Sequence, residues 1–188
     1  MEQTSNVSHG VKWGVIAGFV YTIFLLWRYK FGADNPIILT VSAALGFIVV
    51  LILLLVCGIT RKKSLGGFIE FKDAFQTMFV CVLIFELFYN LFTYIYLKYI
   101  DPAFFDKMKN SIETMLEKAN MEQSKIDEQL EKMDIDKTKK TGFNNIILSY
   151  AFSVIISSIF ALIFALIIKK KKDPFTNNQE KSFSDQPS

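Results

Sequence analysis

Apolar residues in this chain gather into four long runs, at residues 13–31, 37–59, 74–97 and 143–168, set apart by short polar breaks and one long polar segment. The runs are 19, 23, 24 and 26 residues long. A helix rises ~1.5 Å per residue and the hydrocarbon core of a bilayer is ~30 Å thick, so about 20 apolar residues span it. Backbone N–H and C=O groups find no water at that depth, and each run must close its own hydrogen bonds as a helix. The pattern predicts an all-α fold: a four-helix transmembrane bundle with a helical hairpin inserted between spans 3 and 4.

The breaks between the runs sharpen this picture. Gly32-Ala33-Asp34-Asn35-Pro36 is a row of helix breakers that makes spans 1 and 2 an antiparallel hairpin. Trp13 and Trp27 bracket span 1 at 14 residues, or ~21 Å, as indoles at two interfaces would. Lys12 and Arg28 are placed to snorkel outward. After span 2, Gly66-Gly67 permits a sharp turn, and Phe68, Phe71 and Phe75 then recur at helical spacing opposite Glu70, Lys72 and Asp73. That reads as a short interfacial helix, residues 66–75, leading into span 3.

Span 3 ends in an aromatic belt, residues 94–99, followed by Asp101-Pro102, which predicts a helix start with Asp as N-cap and Pro at the first helical position. Phe105, Met108, Ile112, Met115 and Ala119 make one apolar stripe; Ile126, Leu130 and Met133 make another. Residues 120–123 interrupt the two, and Ser124-Lys125-Ile126-Asp127 resembles a capping box. The chain therefore divides into spans 1–3 (1–97), an extramembrane hairpin (98–142), span 4 (143–172) and a disordered tail (173–188).

Charge then decides orientation. Lys12, Arg61, Lys62, Lys63, Lys72 and Lys169 to Lys172 put nine basic residues beside span ends on one side. The lysines of the hairpin are balanced by acidic residues, 9 against 10 between Lys98 and Gly142. The positive-inside rule places both termini in the cytoplasm and the hairpin outside. Such clusters anchor helix ends, and no nucleic-acid surface is expected. Residues 13–31 read as a retained helix, because the acidic start and the bulky Trp27-Arg28-Tyr29-Lys30 do not suit a cleaved signal.

Composition excludes most chemistry. The chain is 52% hydrophobic with 19 Phe residues. Cys57 and Cys81 lie inside spans as small packing residues, and the single histidine, His9, sits in the polar N-terminal tail. No catalytic set, metal site or cofactor motif is present, so the expectation is a non-enzymatic protein with lipid as its first partner. Two features, the hairpin and Glu86, carry what function is legible. The hairpin stripes offer a docking face for a partner helix or a second copy. Span 4 repeats small residues at Ser149, Ser153, Ser157, Ala161 and Ala165, span 1 at Gly10, Gly14 and Gly18, and span 2 at Ser42 and Gly46. Such strips let helices approach closely, within one molecule or between two.

Glu86 is the sharpest residue. It lies midway along span 3 with Asn90 one turn on, and no Lys or Arg sits at its depth. A carboxyl at the bilayer centre is costly and is expected to be neutral, paired or facing a polar cavity. Depth matching sets Ser153 and Ser157 level with it. Glu86, Asn90, Ser153 and Ser157 form the candidate intramembrane polar site, either as a buried interhelical hydrogen-bond cluster or as the proton-exchanging carboxyl of a small transporter or transport accessory.

The ordered motifs also resemble a family. Gly66-Gly67-Phe68-Ile69-Glu70-Phe71-Lys72-Asp73-Ala74-Phe75 is similar to a hallmark of small bacterial four-span membrane proteins in a domain-of-unknown-function class. So are Tyr94-Ile95-Tyr96, Ile100-Asp101-Pro102 and the Met/Glu/Lys-rich insert before span 4. The resemblance covers roughly residues 10 to 172 and implies a bacterial inner-membrane protein of unassigned role, with no active-site residue to carry over. The function expected is structural, scaffolding or regulatory, with the transporter as the alternative.

Overall fold

The computed structural model describes residues 5–171, side chains at 136, 139–141 and 143 excepted. The tail assigned to residues 173–188 lies outside the described residues. Six α-helices follow one another: α1 (Asn6–Gly32), α2 (Pro36–Ser64), α3 (Phe71–Ile95), α4 (Phe104–Lys118), α5 (Gln123–Thr141) and α6 (Phe143–Ile168). A π-helical turn, Tyr96–Ile100, extends α3. Helices α1, α2, α3 and α6 are each long and apolar enough to cross a membrane. The fold is an all-α bundle.

Helix α1 lies against α3, with α2 on its other side, and α6 packs on α3. The α1–α3 seam is closely packed along its length. A Cβ added at Gly10 would fall 2.5 Å from the Thr77 carbonyl oxygen, at Gly14 2.7 Å from Ile84 Cβ, and at Gly18 2.6 Å from the Phe88 ring. Contacts climb both helices together, so α1 and α3 run parallel, as the first and third members of an up-and-down bundle must. Lipid tails are as apolar as leucine, so close backbone approach and dispersion, rather than hydrophobic burial, hold such a seam.

Two buried clusters fill the bundle. Toward the hairpin end, Tyr21, Leu25 and Tyr29 of α1 pack with Phe85, Tyr96, Phe104 and Phe105. Toward the other end, Leu54 and Cys57 pack with Ala74, Met78, Cys81, Ala161 and Ala165. Both cysteines are free and buried. The lower half of the span 4 strip is therefore used inside the molecule, since Ala161 and Ala165 are fully buried.

Local chemistry sets the helix boundaries, and several differ from the sequence reading. Ser5 caps α1 by accepting from Ser8 N at 3.1 Å, so the helix starts at Asn6. His9, expected in a polar tail, is helical and faces Thr60 Oγ1 at 3.1 Å. Asn35 caps α2 by accepting from Ile37 N and Ile38 N, with Pro36 as the first helical residue. Gly66 and Gly67 turn with φ of +75° and +88°.

No separate interfacial helix follows that turn. Ile69 pairs with Lys170 through two 2.9 Å backbone bonds, which holds the chain extended up to Glu70; Phe71 and Phe75 then belong to α3 itself. At the far end the aromatic belt splits. Tyr94 and Tyr99 flank Lys98 on the outside, while the π turn carries Tyr96 into the core. That turn closes on Asp101 N, which donates to Tyr96 O at 2.8 Å, and Ala103 rather than Asp101 stands at the N-cap of α4. Helix α4 begins at Phe104, and the Asp101 carboxylate holds Lys107 at 3.0 Å instead.

The hairpin bends at Asn120, whose φ is +53°. Helix α5 starts at Gln123 with no side-chain cap, and Asp127 accepts from Gln123 Nε2, so Ser124 is not the N-cap. Lys109–Asp134 and Lys137–Asp106, both 2.8 Å, join α4 to α5, and Ile126 and Leu130 are buried. Phe104 rests on Tyr29 and Tyr96, and Ser111 donates to Asp34 O, so the hairpin is seated on the end of the bundle.

Candidate functional site

Where the two buried clusters meet, α3 turns Glu86 toward α6. Its side chain is 4% exposed. The Ser157 hydroxyl donates to Glu86 Oε1. One turn on, Asn90 Nδ2 donates to Glu86 O at 2.9 Å and to Ser153 Oγ at 3.2 Å. Ser153 Oγ in turn donates to Tyr150 O, and Tyr150 OH donates back to Leu83 O on α3. The structure thus brings Glu86, Asn90, Ser153 and Ser157 together as one polar ladder along α3 and α6. Serine side chains are short enough for α6 to approach α3 and still supply the hydrogen bonds that a buried carboxyl and amide require. Ser149, the next member of the strip, is exposed.

The ladder is one wall of a cavity of about 440 Å³ between α1, α2, α3 and α6. Its walls are apolar for the most part, with Tyr21, Phe47, Tyr89 and Phe160 among them; Glu86, Ser153 and Ser157 contribute polar atoms. Phe47 and Phe152, on the α2 and α6 walls, are 49% and 66% exposed, so the mouth faces lipid rather than water. The volume falls within the ~300–1,000 Å³ of small-molecule pockets.

A cation also lines this cavity. Arg28, expected to snorkel outward, points inward, and its Nε–H is buried with no hydrogen-bond partner. The reason lies in helix geometry. Side chains lean toward the N-terminus of their helix, so an arginine one turn before the end of α1 leans back into the membrane. Depth matching by Cα position misses this, whereas the lean of the side chain could have found it.

Arg61 is the second functional candidate that the sequence reading placed elsewhere. It belongs to a basic cluster expected to anchor a span end, but it is 5% exposed. Its Nε donates to Asn6 Oδ1 at 2.8 Å, and Asn6 Nδ2 donates to Asp73 Oδ1 at 2.8 Å. These groups line a polar cavity of about 420 Å³ beside the start of α1. Asn6 bridges a cation on α2 to an anion on α3, which closes that end of the bundle.

Residues 12–170 match the family described as protein of unknown function (DUF4199). The chain belongs to that family. No curated protein and no solved structure matches it. The DUF4199 match runs from Lys12, within α1, to the Lys170 bridge, so it covers the cavity, the polar ladder and the hairpin together. Among the described residues of this DUF4199 chain, no three His, Cys, Asp or Glu side chains cluster as metal ligands.

Proposed function

We propose that the protein is a non-enzymatic integral membrane component, resident in the bacterial inner membrane, with a regulatory role exercised by binding a small lipophilic molecule within the bundle. The observation that carries this reading is the lipid-facing cavity of about 440 Å³. A helix packing that served only as scaffold would be expected to fill such a space, since each lining atom without a neighbour forfeits dispersion energy. The basic residues beside the span ends favour cytoplasmic termini and an external hairpin. A reporter fused after Lys172 should be active only in the cytoplasm; activity only on the opposite side overturns the orientation.

Binding is tested by filling the space. Ala43 lines the cavity, and Ala43→Phe should abolish uptake of a lipophilic fluorescent probe by the purified protein while leaving the helical content unchanged. Undiminished probe binding in that variant removes the cavity from the proposal.

A second reading, a proton-coupled transporter or transport accessory, is favoured by Glu86 on the cavity wall. A carboxyl that exchanges protons with a lipid-facing site would couple binding to pH. In proteoliposomes, Glu86→Gln should then lose pH-driven uptake while still binding; uptake that survives Gln leaves the regulatory reading alone. Partners beyond lipid, a second copy or a partner helix, would meet the exposed Met115, Met121 and Ile135 of the hairpin.

A further inference from the structure

Arg28 is out of place for a snorkelling arginine. Its Nε is the buried side-chain nitrogen or oxygen without a partner among the described residues. No hydrogen bond or ion pair from the guanidinium to Glu86 or any other side chain occurs among them, and its nearest ring partner is the neighbouring Tyr29, 5.8 Å away. Arg28 as a whole is half-buried, but its Nε is enclosed with no counter-charge beside it, and a guanidinium is built to receive two oxygens of a carboxylate or phosphate at once.

The geometry adds an orientation. Gly14 faces Ile84 and Gly18 faces Phe88, so Glu86 stands level with residues 16–17 of α1. Arg28 is about 11 residues further along, or ~16 Å toward the hairpin end. The cavity reaches both. A molecule lying in it would have its head on the hairpin side of the midplane, at the inward-leaning Arg28, and its body extending toward the midplane past Phe47, Phe85 and Phe160. That is the orientation of an amphiphile in the leaflet on the hairpin side, and the lipid-facing mouth lets it enter sideways. The Glu86 end is already satisfied by Ser157 and adds no second cation.

We infer that the cavity is a site for a single-chain anionic amphiphile, its carboxylate or phosphate monoester on Arg28 and its apolar chain along the α2 and α6 walls. This rests on the cavity-binding reading above and goes further by naming the class of ligand and the residue that selects it.

The test compares hexadecanoate, hexadecyl phosphate and hexadecanol as probes of the full-length protein in neutral detergent, by equilibrium binding of the labelled compounds. A hydrogen bond to a charged group contributes about 1.5–3 kcal/mol, so at least one anion should bind about tenfold or more tightly than the alcohol. Arg28→Gln should bring the anions down to the alcohol's affinity without changing the alcohol's own. Arg28→Lys, which keeps the charge but loses the fork, should keep part of the preference and serves if the Gln variant does not fold. Tighter hexadecyl phosphate than hexadecanoate assigns a phosphate head; the reverse order assigns a free fatty acid. Equal binding of anion and alcohol, or an anion preference that survives Arg28→Gln, overturns the inference. If the alcohol binds and Ala43→Phe blocks it while no anion preference exists, the cavity reading stands and only the anion assignment falls. If none of the three binds, both fall.

Discussion

Helices α1 and α3 are the less apolar spans, yet they are the more buried, with 33% and 39% of their apolar stretches inside the molecule. Helices α2 and α6 are more uniformly apolar and bury only 17% each. In a water-soluble protein the order would be reversed, because apolar surface is driven inward. In lipid that drive is absent between helices, so uniform Leu/Ile/Val surface stays outside while small and polar residues find one another inside. Gly10, Gly14 and Gly18 on α1, and Thr77, Glu86 and Asn90 on α3, are what made these spans look less hydrophobic. They are also what makes them the centre of the bundle.

Substitutions that treat the two pairs alike should therefore give unlike results. The largest effect is expected at the α1–α3 seam. Gly10→Leu places its Cβ against the Thr77 carbonyl oxygen, a backbone atom that cannot swing aside, and overpacking of this kind costs about 1–3 kcal/mol. Thermal unfolding in detergent should show a clearly lowered midpoint, and an unchanged midpoint would break the comparison. Next comes the polar ladder. Glu86→Leu removes the bond to Ser157 and should cost ~0.6–2 kcal/mol, whereas Glu86→Gln keeps a hydrogen-bonding group and should be milder. Equal loss for Leu and Gln would mean that charge, not hydrogen bonding, matters at this position.

Smaller again is Tyr29→Phe, which deletes the buried contact between Tyr29 OH and Thr93 Oγ1 at 3.2 Å between α1 and α3 and should cost about 0.5–1.5 kcal/mol in the same assay. In the hairpin, Lys109→Met should leave the bundle's midpoint where it is, because the pair with Asp134 is exposed and salt-screened. Its effect belongs to α4 and α5 alone. Cysteines at Met115 and Leu130 should cross-link within one molecule, and cross-links formed only between molecules would replace the folded hairpin with a dimer contact. The smallest effect is expected on the lipid face of α2. Ile52→Ala, at a site 54% exposed, should change the midpoint by close to nothing, and a loss matching that of Gly10→Leu would remove the contrast between the two pairs.

What the chain alone determines is the number of spans, the insertion of a polar hairpin between the third and fourth, and the position of one carboxyl near mid-membrane. Each follows from length and hydrophobic pattern, because a bilayer admits few ways to satisfy a backbone. Periodicity also lined up Glu86, Asn90, Ser153 and Ser157, since depth in antiparallel spans is fixed by residue count. It marked five small-residue positions as packing faces, and their partners differ: Gly14 meets α3, Gly46 meets the rings of Tyr21 and Phe24 on α1, Ala161 and Ala165 close the lower cluster, and Ser149 stays exposed. Which helix a face meets depends on rotation about its axis and on the order of the helices around the bundle, and local spacing holds neither. The same is true of the two arginines. Arg28 and Arg61 look like interface anchors along the chain; the lean of its side chain turns Arg28 inward, where its Nε has no partner, and only the packing of α1, α2 and α3 shuts Arg61 against Asn6.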